Sequence, residues 1–388
     1  MTAVDNPCPV RRVTDGPRHH FFGYYDKCPW DANGRYLLAM EVGFMDRPPR
    51  PDDVAVIGMV DLEDGNRWQA LAETTAWNWQ QGTHLQWLDP ESGRRVIFNR
   101  RDGDAYIATI LDVHTGECRD LTRPIYAVSR DGRQAVILNF SRVHRNRPGY
   151  GYVGLPDRWA DDPAPASDGI FHMDLGSGVS RLIVSLAQVR QHEPEPSMDG
   201  AIHWFNHLQL NLSGTRFIFL HRWRQPDSSS RLTRLYTAAP DGSDMVLLGR
   251  EGLVSHFDWL DDEHVLTWSR HNGKDHFHVY SDRTGAVDTL GTGVLTEDGH
   301  CSYSPDRRWL LTDTYPDSAR SERTIILYDL SGGIRHDVGH FYSLPGATGE
   351  IRCDLHPRWS HDGRQICFDS THEGERQVYI ADVAGVTG

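Results

Sequence analysis

One short pattern recurs along the chain: an extended segment, a polar turn and a second extended segment. The clearest copy is residues 350–370, EIRCDLHPRWSHDGRQICFDS, in which Asp362 and Gly363 provide the turn chemistry between two runs of alternating polarity. Because each copy of a repeat must form the same unit, repetition constrains a fold more strongly than local propensity does. The pattern therefore favours an architecture built from one β unit used many times.

Copies of the pattern can be aligned on the residue before the turn. Seven such anchors are present: Trp30, Trp87, Val128, Leu210, Trp259, Tyr303 and Trp359. Successive anchors lie 57, 41, 82, 49, 44 and 56 residues apart, a spacing that suits one four-stranded unit each. The long third interval indicates an insertion at about residues 145–168, rich in Gly, Pro, Tyr and Arg. This insertion is expected to be either a surface loop or a lip that covers a substrate.

Seven four-stranded units in succession predict an all-β fold, the seven-bladed β-propeller. The last unit lacks an outer strand, and residues 10–14 are expected to supply it, which closes the ring and covers a free sheet edge. A β-sandwich is the alternative, but seven matched turns favour the ring. Because a propeller grows by adding blades, residues 1–388 are expected to form a single domain.

The composition limits the partners that the protein can have. A net charge of −14 argues against general nucleic-acid binding, although a local arginine cluster can still bind an anionic small molecule. No apolar run has membrane-spanning length, and residues 1–9 lack the basic start and apolar core of an export signal. Six cysteines without regular spacing suit a reducing compartment. We therefore expect a cytoplasmic protein without a nucleic-acid or membrane partner.

Histidine recurs three residues before the anchors. The residues at this position are Lys27, His84, Ile125, His207, His256, His300 and His356. Five of these seven are histidine, whereas the whole chain has 21 histidines in 388 residues. The position lies early in the innermost strand of each predicted blade, where side chains distant in sequence meet near the axis. Each histidine could cap its own blade by hydrogen bonding, but five converging histidines favour a common site.

The last three blades contribute the strongest candidate for a metal site. His256, His300 and His356 come from adjacent units, and Cys353 lies three residues before His356. Three imidazoles, with or without a thiolate, are suitable ligands for zinc or another divalent transition metal such as manganese. His207 is a reserve ligand, and Asp354, next to Cys353, is a further possible ligand by residue type.

Arginines form a second cluster in blades two to four. Arg101, Arg142 and Arg224 each follow an anchor by fourteen residues, and Arg222 lies two residues before Arg224. The neighbouring inner strands offer His84, Tyr126 and His207. Guanidinium groups that converge on a cleft bind carboxylates in a bidentate manner, although arginines at blade rims also form ordinary salt bridges.

These motifs together resemble a known family. The segments DGHCSYSPD (298–306), DLHPRWSHDG (354–363) and WNWQQGTHLQWL (77–88), with Tyr126 sixteen residues before Arg142, are similar to the seven-bladed propeller polysaccharide lyases. That group includes oligogalacturonate lyases, ulvan lyases and rhamnosyl-glucuronate lyases, and the resemblance covers most of the chain.

The resemblance implies roles for particular residues. The oligogalacturonate lyases imply a metal at positions matching His300, Cys353 and His356, with glutamine in place of Cys353 and a further histidine ligand in place of Arg358. The ulvan-type lyases imply that Tyr126 and Arg142 act in catalysis, with a histidine near His84.

The residue types suit β-elimination from a uronate-containing oligosaccharide. This reaction needs a neutralised carboxylate, a base for the C5 proton and an acid for the leaving oxygen. We expect Arg142, with Arg222 or Arg224, to bind the carboxylate. Tyr126 and His84 or His207 would then transfer protons, and Arg101 would contribute to substrate binding.

Two other classes of function remain open at this point. A propeller glycoside hydrolase similar to α-L-rhamnosidases would use paired carboxylates, for which Asp258 and Asp354 are candidates. A non-enzymatic binding propeller is also compatible with the fold, since fold alone does not define function.

Overall fold

The computed structural model describes residues 4–5, 7–89 and 93–388, and it shows the predicted seven-bladed β-propeller. Residues 90–92, which belong to the turn of the second repeat, lie outside the described residues. The chain begins with two short strands, β1 (Val4–Asp5) and β2 (Val10–Arg12). The seven blades then follow in chain order, and each is a meander of antiparallel neighbours.

The first four blades contain sixteen strands. Blades 1 and 2 consist of β3 (His19–Phe21), β4 (Tyr36–Val42), β5 (Ala55–Asp61), β6 (Arg67–Thr74), β7 (Gln86–Trp87), β8 (Arg95–Asp102), β9 (Ala105–Asp112) and β10 (Cys118–Asp120). Blades 3 and 4 consist of β11 (Ala127–Val128), β12 (Gln134–Ile137), β13 (Gly169–Asp174), β14 (Ser180–Ser185), β15 (Ile202–Leu210), β16 (Phe217–Arg224), β17 (Leu232–Ala238) and β18 (Val246–Gly249).

The last three blades follow the same order. Their strands are β19 (Val254–Trp259), β20 (His264–His271), β21 (Lys274–Ser281), β22 (Val287–Thr289), β23 (Ser302–Tyr303), β24 (Trp309–Asp313), β25 (Glu322–Asp329), β26 (Ile334–Tyr342), β27 (Arg358–Trp359), β28 (Gln365–Ser370) and β29 (Gln377–Asp382). Short helices occur in connections and at the carboxyl end: α1 (Phe140–Asn146), α2 (Leu186–Gln191) and α3 (Ala384–Thr387), with 3₁₀ turns at Pro196–Met198 and Gly349–Ile351.

The amino-terminal segment closes the ring as predicted. Strand β2 pairs with β29 in antiparallel fashion and becomes the outer strand of blade 7. The side chain of Thr14 continues this closure, because its hydroxyl donates to Gln377 and accepts from the backbone N–H of Val378. Strand β1 adds a feature that the repeat did not predict, since it pairs in parallel with β26 at the outer edge of blade 6.

The predicted insertion is an ordered part of blade 3. It joins β12 to β13 and begins with helix α1, whose N-cap is the Asn139 side chain. Tyr150 and Tyr152 in the following loop are both buried. The insertion is therefore packed into the propeller at its two tyrosines, while other parts of it, such as residues 161–163, are exposed.

The tryptophan anchors of the repeat join neighbouring blades. The indole N–H of Trp87 donates to the Pro29 carbonyl, and that of Trp259 donates to the Gln209 carbonyl. Trp359 donates in the same way to the preceding blade. Each acceptor is the residue just before the anchor of the preceding blade, so one repeated position both packs apolar surface and satisfies a buried donor. No helix among the described residues is long and apolar enough to cross a membrane.

Candidate active site

The five histidines of the repeated position gather at the mouth of the channel where the inner strands begin, here called the histidine mouth. All five are buried: His84, His207, His256, His300 and His356. Three of them have left-handed backbone conformations, with φ of 54° at His84, 49° at His207 and 44° at His356. Such a conformation is unfavourable for residues other than glycine and is concentrated at functional sites.

The imidazole rings from blades 5, 6 and 7 lie in contact. The ring centroids of His256 and His300 are 4.1 Å apart, and those of His300 and His356 are 4.2 Å apart. Tyr24 joins the group from blade 1, since its ring stacks on His207 at 5.0 Å and meets the edge of His356 at 5.0 Å. Radial symmetry thus brings together side chains that are far apart in the sequence.

Two histidines and a carboxylate are arranged as ligands for a divalent metal. The side-chain ligand atoms of His300, Asp354 and His356 all lie within 4.8 Å of one another, and all three residues are buried. The Nε2 atoms of His300 and His356 are buried without a hydrogen-bond partner. Unpartnered imidazole nitrogens beside a carboxylate fit a metal with nitrogen and oxygen ligands.

The surroundings orient these ligands. His300 Nδ1 contacts both carboxylate oxygens of Asp313 at 2.9 and 3.0 Å, which directs Nε2 toward His356 and Asp354. Burial, followed by repulsion from His300, lowers the pKa of His356 well below its ordinary value, so its imidazole is neutral. Burial opposes the charge on His300, but Asp313 outweighs it and raises the pKa. Metal binding would release that proton.

Asp354 was a possible ligand by residue type, but the ligand set predicted from the sequence contained Cys353 instead. Burial raises its pKa, but Arg352 and Arg323 outweigh this effect and lower the pKa to about 2, so the carboxylate is ionised. Cys353 is buried, and burial raises the pKa of its thiol to about 11, with Arg376 and Asp369 as its nearest charged influences. A ligand role for Cys353 therefore stays a prediction, and the structure places Asp354 with the histidines instead.

His256 lies beside the three-residue group rather than within it. Its Nδ1 contacts the Asp298 carboxylate at 2.9 Å, and its ring touches that of His300. Burial lowers its pKa from the ordinary value. Its predicted role as a ligand is untested, and its position also suits a neutral imidazole that faces a bound substrate.

Arg222 is the predicted arginine that faces the histidine mouth. Its guanidinium is buried, and its Nε and Nη1 atoms have no hydrogen-bond partner. Burial, followed by repulsion from Arg231 and Arg147, lowers the pKa of Arg222 well below its ordinary value. Arg222 in turn depresses the pKa of the buried His207. A buried cation without an anion is costly, so this position is suited to a ligand carboxylate.

The other three predicted arginines lie elsewhere. Arg101 pairs with Asp52 at 2.8 Å. Arg224 donates to the carbonyls of the loop after its own strand, those of Pro226 and Ser228. Arg142, at the start of α1, is buried and has partners on every guanidinium nitrogen. The structure thus brings Arg222 to the histidines and gives Arg101, Arg142 and Arg224 partners within the protein.

We expect Arg142→Ala to lower the stability of the folded protein, and to affect catalysis only through that loss. Arg142 pairs with Asp157 at 3.1 Å and donates to four backbone carbonyls, including those of His203 and Pro163. Removing the guanidinium leaves a buried carboxylate uncompensated, which costs about 3–5 kcal/mol. Urea unfolding at neutral pH should show this loss. A variant that unfolds like the wild type but loses turnover would instead support the catalytic role predicted from the resemblance.

Tyr126 and His207 form a hydrogen-bonded pair at the base of the mouth. The Tyr126 hydroxyl lies 3.0 Å from His207 Nδ1, and the side-chain amide of Gln81 contacts both, at 2.7 and 3.1 Å. Burial raises the pKa of Tyr126 well above its ordinary value, so the phenol keeps its proton. The structure therefore unites two residues that were predicted to transfer protons.

His84 lies next to this pair. Its Nδ1 contacts the Tyr126 carbonyl at 3.1 Å, and the two rings are 4.3 Å apart. Burial, followed by repulsion from Lys27, lowers the pKa of His84 well below its ordinary value. His84 Nε2 has no hydrogen-bond partner, so a neutral imidazole supports Tyr126 from the side of blade 2.

The insertion of blade 3 supplies residues that the sequence analysis did not identify. The Tyr150 hydroxyl accepts a hydrogen bond from Arg352 at 2.5 Å, which connects blade 3 to blade 7 across the mouth. The Arg147 guanidinium lies over the Tyr150 ring at 4.7 Å. The ring of Tyr150 also meets that of His207 at 5.5 Å. Of the two interpretations of the insertion, a loop that covers the site is the one these contacts favour.

Tyr150 is a tyrosine that ionises readily. Burial raises its pKa, but the positive charges of Arg352 and Arg147 outweigh burial and lower the pKa to about 8. The buried Tyr24 shows the opposite behaviour, because burial raises its pKa well above the ordinary value. No sequence motif marks Tyr150, although its place in an arginine-rich insertion is a signal that could have been used.

The two carboxylates considered for a hydrolase lie at different depths of the channel. Asp354 is among the metal-ligand candidates and pairs with Arg323 at 2.8 Å. Asp258 faces the opposite end, where it accepts hydrogen bonds from Gln209 and the Tyr303 backbone. Since hydrolases place two carboxylates on either side of one bond, this arrangement does not favour the hydrolase alternative.

The fold and the histidine mouth define a seven-bladed β-propeller with a candidate metal site near its axis. The chain matches no protein-family model, and no curated protein sequence matches it. Solved structures do match. An oligogalacturonate lyase in complex with manganese has 16% sequence identity and a TM-score of 0.68, over 97% of this chain and 93% of that chain.

Two further solved structures are similar to this chain in fold at low sequence identity. An oligogalacturonate lyase from Vibrio parahaemolyticus has 15% identity and a TM-score of 0.67, over 99% of this chain and 96% of that chain. The β-propeller domain of the Trilobed protease from Pyrococcus furiosus has 11% identity and a TM-score of 0.52, with 90% of each chain covered. At these identities the likeness establishes the fold, which this chain shares with structures of oligogalacturonate lyase.

Proposed function

We propose that the protein is a metal-dependent lyase that cleaves uronate-containing oligosaccharides by β-elimination. The observation that carries this proposal is the buried, unpartnered guanidinium of Arg222 beside the histidine mouth. A cation in this position suits a substrate carboxylate, and the candidate metal ligands lie at the same mouth. The likeness to oligogalacturonate lyases, one of them in complex with manganese, supports the same class of substrate.

The metal would be held by His300, Asp354 and His356. When bound, a divalent cation supplies charge that stabilises the carboxylate of the substrate as negative charge develops on it. Manganese accepts imidazole and carboxylate ligands of this kind, and zinc does so as well. The likeness to an oligogalacturonate lyase in complex with manganese favours manganese.

Arg222 would neutralise the uronate carboxylate. Its Nε and Nη1 atoms have no partner among the described residues, so the guanidinium has donors available for the carboxylate oxygens of a substrate. Neutralising the negative charge of the carboxylate makes the adjacent C5–H bond more acidic. The repulsion between Arg222 and its neighbours Arg231 and Arg147 would be relieved by the anion.

Proton transfer would use the tyrosines. In its ionised form Tyr150 would accept the C5 proton, the C4–C5 double bond would form, and the C4–O4 bond would break. The leaving oxygen would take a proton from the Tyr126 hydroxyl, which the neutral His207 contacts. Enclosure by the insertion suits short oligosaccharides, and a cytoplasmic enzyme would receive them after import.

The direct test is ultraviolet absorbance of a 4,5-unsaturated uronate. Galacturonate, glucuronate and iduronate oligosaccharides are incubated with the protein in the presence of Mn²⁺ or Zn²⁺. We expect absorbance to rise with at least one of them, and mass spectrometry should show products that lack one water relative to hydrolysis products. Saturated products only, or no product from any of these substrates, would refute the lyase proposal.

Tyr150 gives the reaction a predicted pH dependence. Because the ionised form acts as base and the pKa is about 8, kcat/KM should rise with pH and level off above about pH 8. Tyr150→Phe should lower kcat/KM by about 10²–10⁴ and remove this ionisation from the profile.

The matched control is Tyr152→Phe, two residues away in the same loop. The Tyr152 hydroxyl contacts Asn99 at 2.8 Å, and burial raises its pKa, so it does not ionise in the working range. This variant should keep the wild-type pH profile. A Tyr150→Phe enzyme with an unchanged profile would exclude Tyr150 as the base.

A further inference from the structure

A second cavity opens at the end of the channel opposite the histidine mouth, where the inner strands enter their turns. Its volume is about 580 Å³, and residues from all seven blades line it. Ligand pockets in proteins are commonly about 300–1,000 Å³ in volume. This cavity, here called the tryptophan cavity, is therefore large enough for a small organic ligand.

Tyr25 separates the tryptophan cavity from the histidine mouth. Its hydroxyl donates to the Phe257 carbonyl and accepts from the Phe257 N–H, both at 3.0 Å, which fixes the side chain across the channel. The Tyr25 ring lies 5.4 Å from that of His300 on one side and lines the cavity on the other. A ligand in this cavity would thus be isolated from the reacting groups.

The wall of the cavity is aromatic and carries free polar atoms. The anchor residues of five blades contribute Trp30, Trp87, Trp259, Tyr303 and Trp359. Three residues of the wall each have one buried polar atom without a hydrogen-bond partner among the described residues: Trp30 Nε1, Gln209 Oε1 and Ser302 Oγ. One is a donor, one is an acceptor, and the hydroxyl is both. Aromatic surface combined with this mixture of polar atoms suits a hydroxylated ring.

The rim of the cavity is positively charged. Arg130 has no carboxylate within ion-pair distance among the described residues, and Arg307 reaches Asp258 only at 3.8 Å. Asp258 is already engaged, because it accepts from Gln209 and from the Tyr303 N–H, both at 2.8 Å. Desolvation of the Arg130 guanidinium, followed by repulsion from Arg307, lowers its pKa, although the residue as a whole is exposed. The lysine that lines the cavity, Lys27, forms a salt bridge with Asp26 at 2.8 Å.

We propose that the tryptophan cavity binds a small hydroxylated carboxylate of the size of a uronic acid monosaccharide. Its carboxylate would pair with Arg130 and Arg307, and its hydroxyls would satisfy Gln209, Ser302 and the Trp30 indole. A guanidinium group can bind a carboxylate by two parallel hydrogen bonds. Aromatic side chains offer flat apolar surface against which a sugar ring can pack. The site is independent of the proposed elimination reaction.

The test is titration of the protein with sodium D-galacturonate, followed by tryptophan fluorescence and calorimetry. D-Galactose, which has the same ring without the carboxylate, is the matched ligand control, and inorganic phosphate is the second. We expect saturable binding of galacturonate and binding of galactose that is weaker by more than about tenfold. Equal binding of galactose, binding of phosphate alone, or no saturable binding would overturn the proposal.

Variants then locate the site. Arg130→Gln with Arg307→Gln should weaken galacturonate binding by more than about tenfold, whereas Arg222→Gln at the other mouth should leave binding in the cavity unchanged. Melting temperatures of both proteins provide the folding control, and Arg130 is exposed, which makes its substitution mild. The Arg130/Arg307 variant should keep the ultraviolet elimination signal, so failure of this proposal is distinguishable from failure of the lyase proposal. Galacturonate binding that keeps its affinity in the Arg130/Arg307 variant and is lost in the Arg222→Gln variant would place the ligand at the histidine mouth and overturn the proposal.

Discussion

Arg222→Lys is expected to reduce kcat/KM for a uronate oligosaccharide by about 10²–10³, the loss typical of removing one charged group that stabilises a transition state. The lysine keeps a positive charge but cannot offer two parallel N–H groups to one carboxylate. The native guanidinium is buried with Nε and Nη1 unpartnered, so little in the protein depends on it. The melting temperature should therefore fall little or even rise, while turnover falls.

Arg224→Lys is the matched control, on the same strand two residues away. Arg224 is partly exposed and donates to the carbonyls of Pro226 and Ser228. Its replacement should leave kcat/KM within about a factor of three, since exposed substitutions change free energies by about 0.5 kcal/mol. Equal losses in the two variants would contradict the assignment of the carboxylate to Arg222 and would revive the sequence-based choice of Arg224.

Loss of the metal site is expected to have the largest effect. His300→Ala removes an imidazole whose Nε2 is free and whose Nδ1 is held by Asp313. We expect the purified variant to contain less than about a tenth of the wild-type metal, because one of the three residues grouped as ligands in the described part of the chain is missing. Elimination activity should fall to background, and added Mn²⁺ should not restore it. Elemental analysis and the ultraviolet assay measure the two losses separately.

A pair of neighbouring substitutions distinguishes the ligand sets. Asp354→Asn should lower the metal content strongly, whereas Cys353→Ser should leave it close to wild type, because Asp354 is grouped with the histidines. Asp313→Asn should weaken metal binding by about 10–100-fold through loss of the group that orients His300. Loss of metal in Cys353→Ser, with metal retained in Asp354→Asn, would favour the thiolate ligand predicted from the sequence.

Cys353 and Asp354 show how well the position of a residue in the repeat predicts whether it belongs to the candidate metal site. Side chains two residues apart in an extended segment point to the same side, and those three apart point to opposite sides. Asp354 lies two residues before His356 and faces the same group, whereas Cys353 lies three before it and is influenced mainly by Arg376 and Asp369. The alternation was present in the sequence, but the choice of Cys353 rested on a thiolate being a common partner of imidazole in metal sites.

The arginines show a different limit. A fixed distance from the anchor predicted that Arg101, Arg142 and Arg224 share one face, but the structure gives each of them a local partner. Arg222 alone among the predicted arginines is buried without one in the part of the chain described. The spacing along a strand predicts the position of an arginine in the blade. The residues that pack around it in the folded protein decide whether its charge has a partner.

The sequence by itself predicted the seven blades, the closure by residues 10–14, of which 10–12 form the outer strand, and the histidines at the start of five inner strands, because all of them follow from one repeated unit. Only the tertiary structure decided which groups at the mouth are left unpartnered and which loop residues join them. Tyr150, Arg147 and Arg352 come from connections without a repeat, and their ionisation depends on charges contributed by other blades. These residues become neighbours only when the ring closes, so their proximity cannot be read from any single segment of the chain.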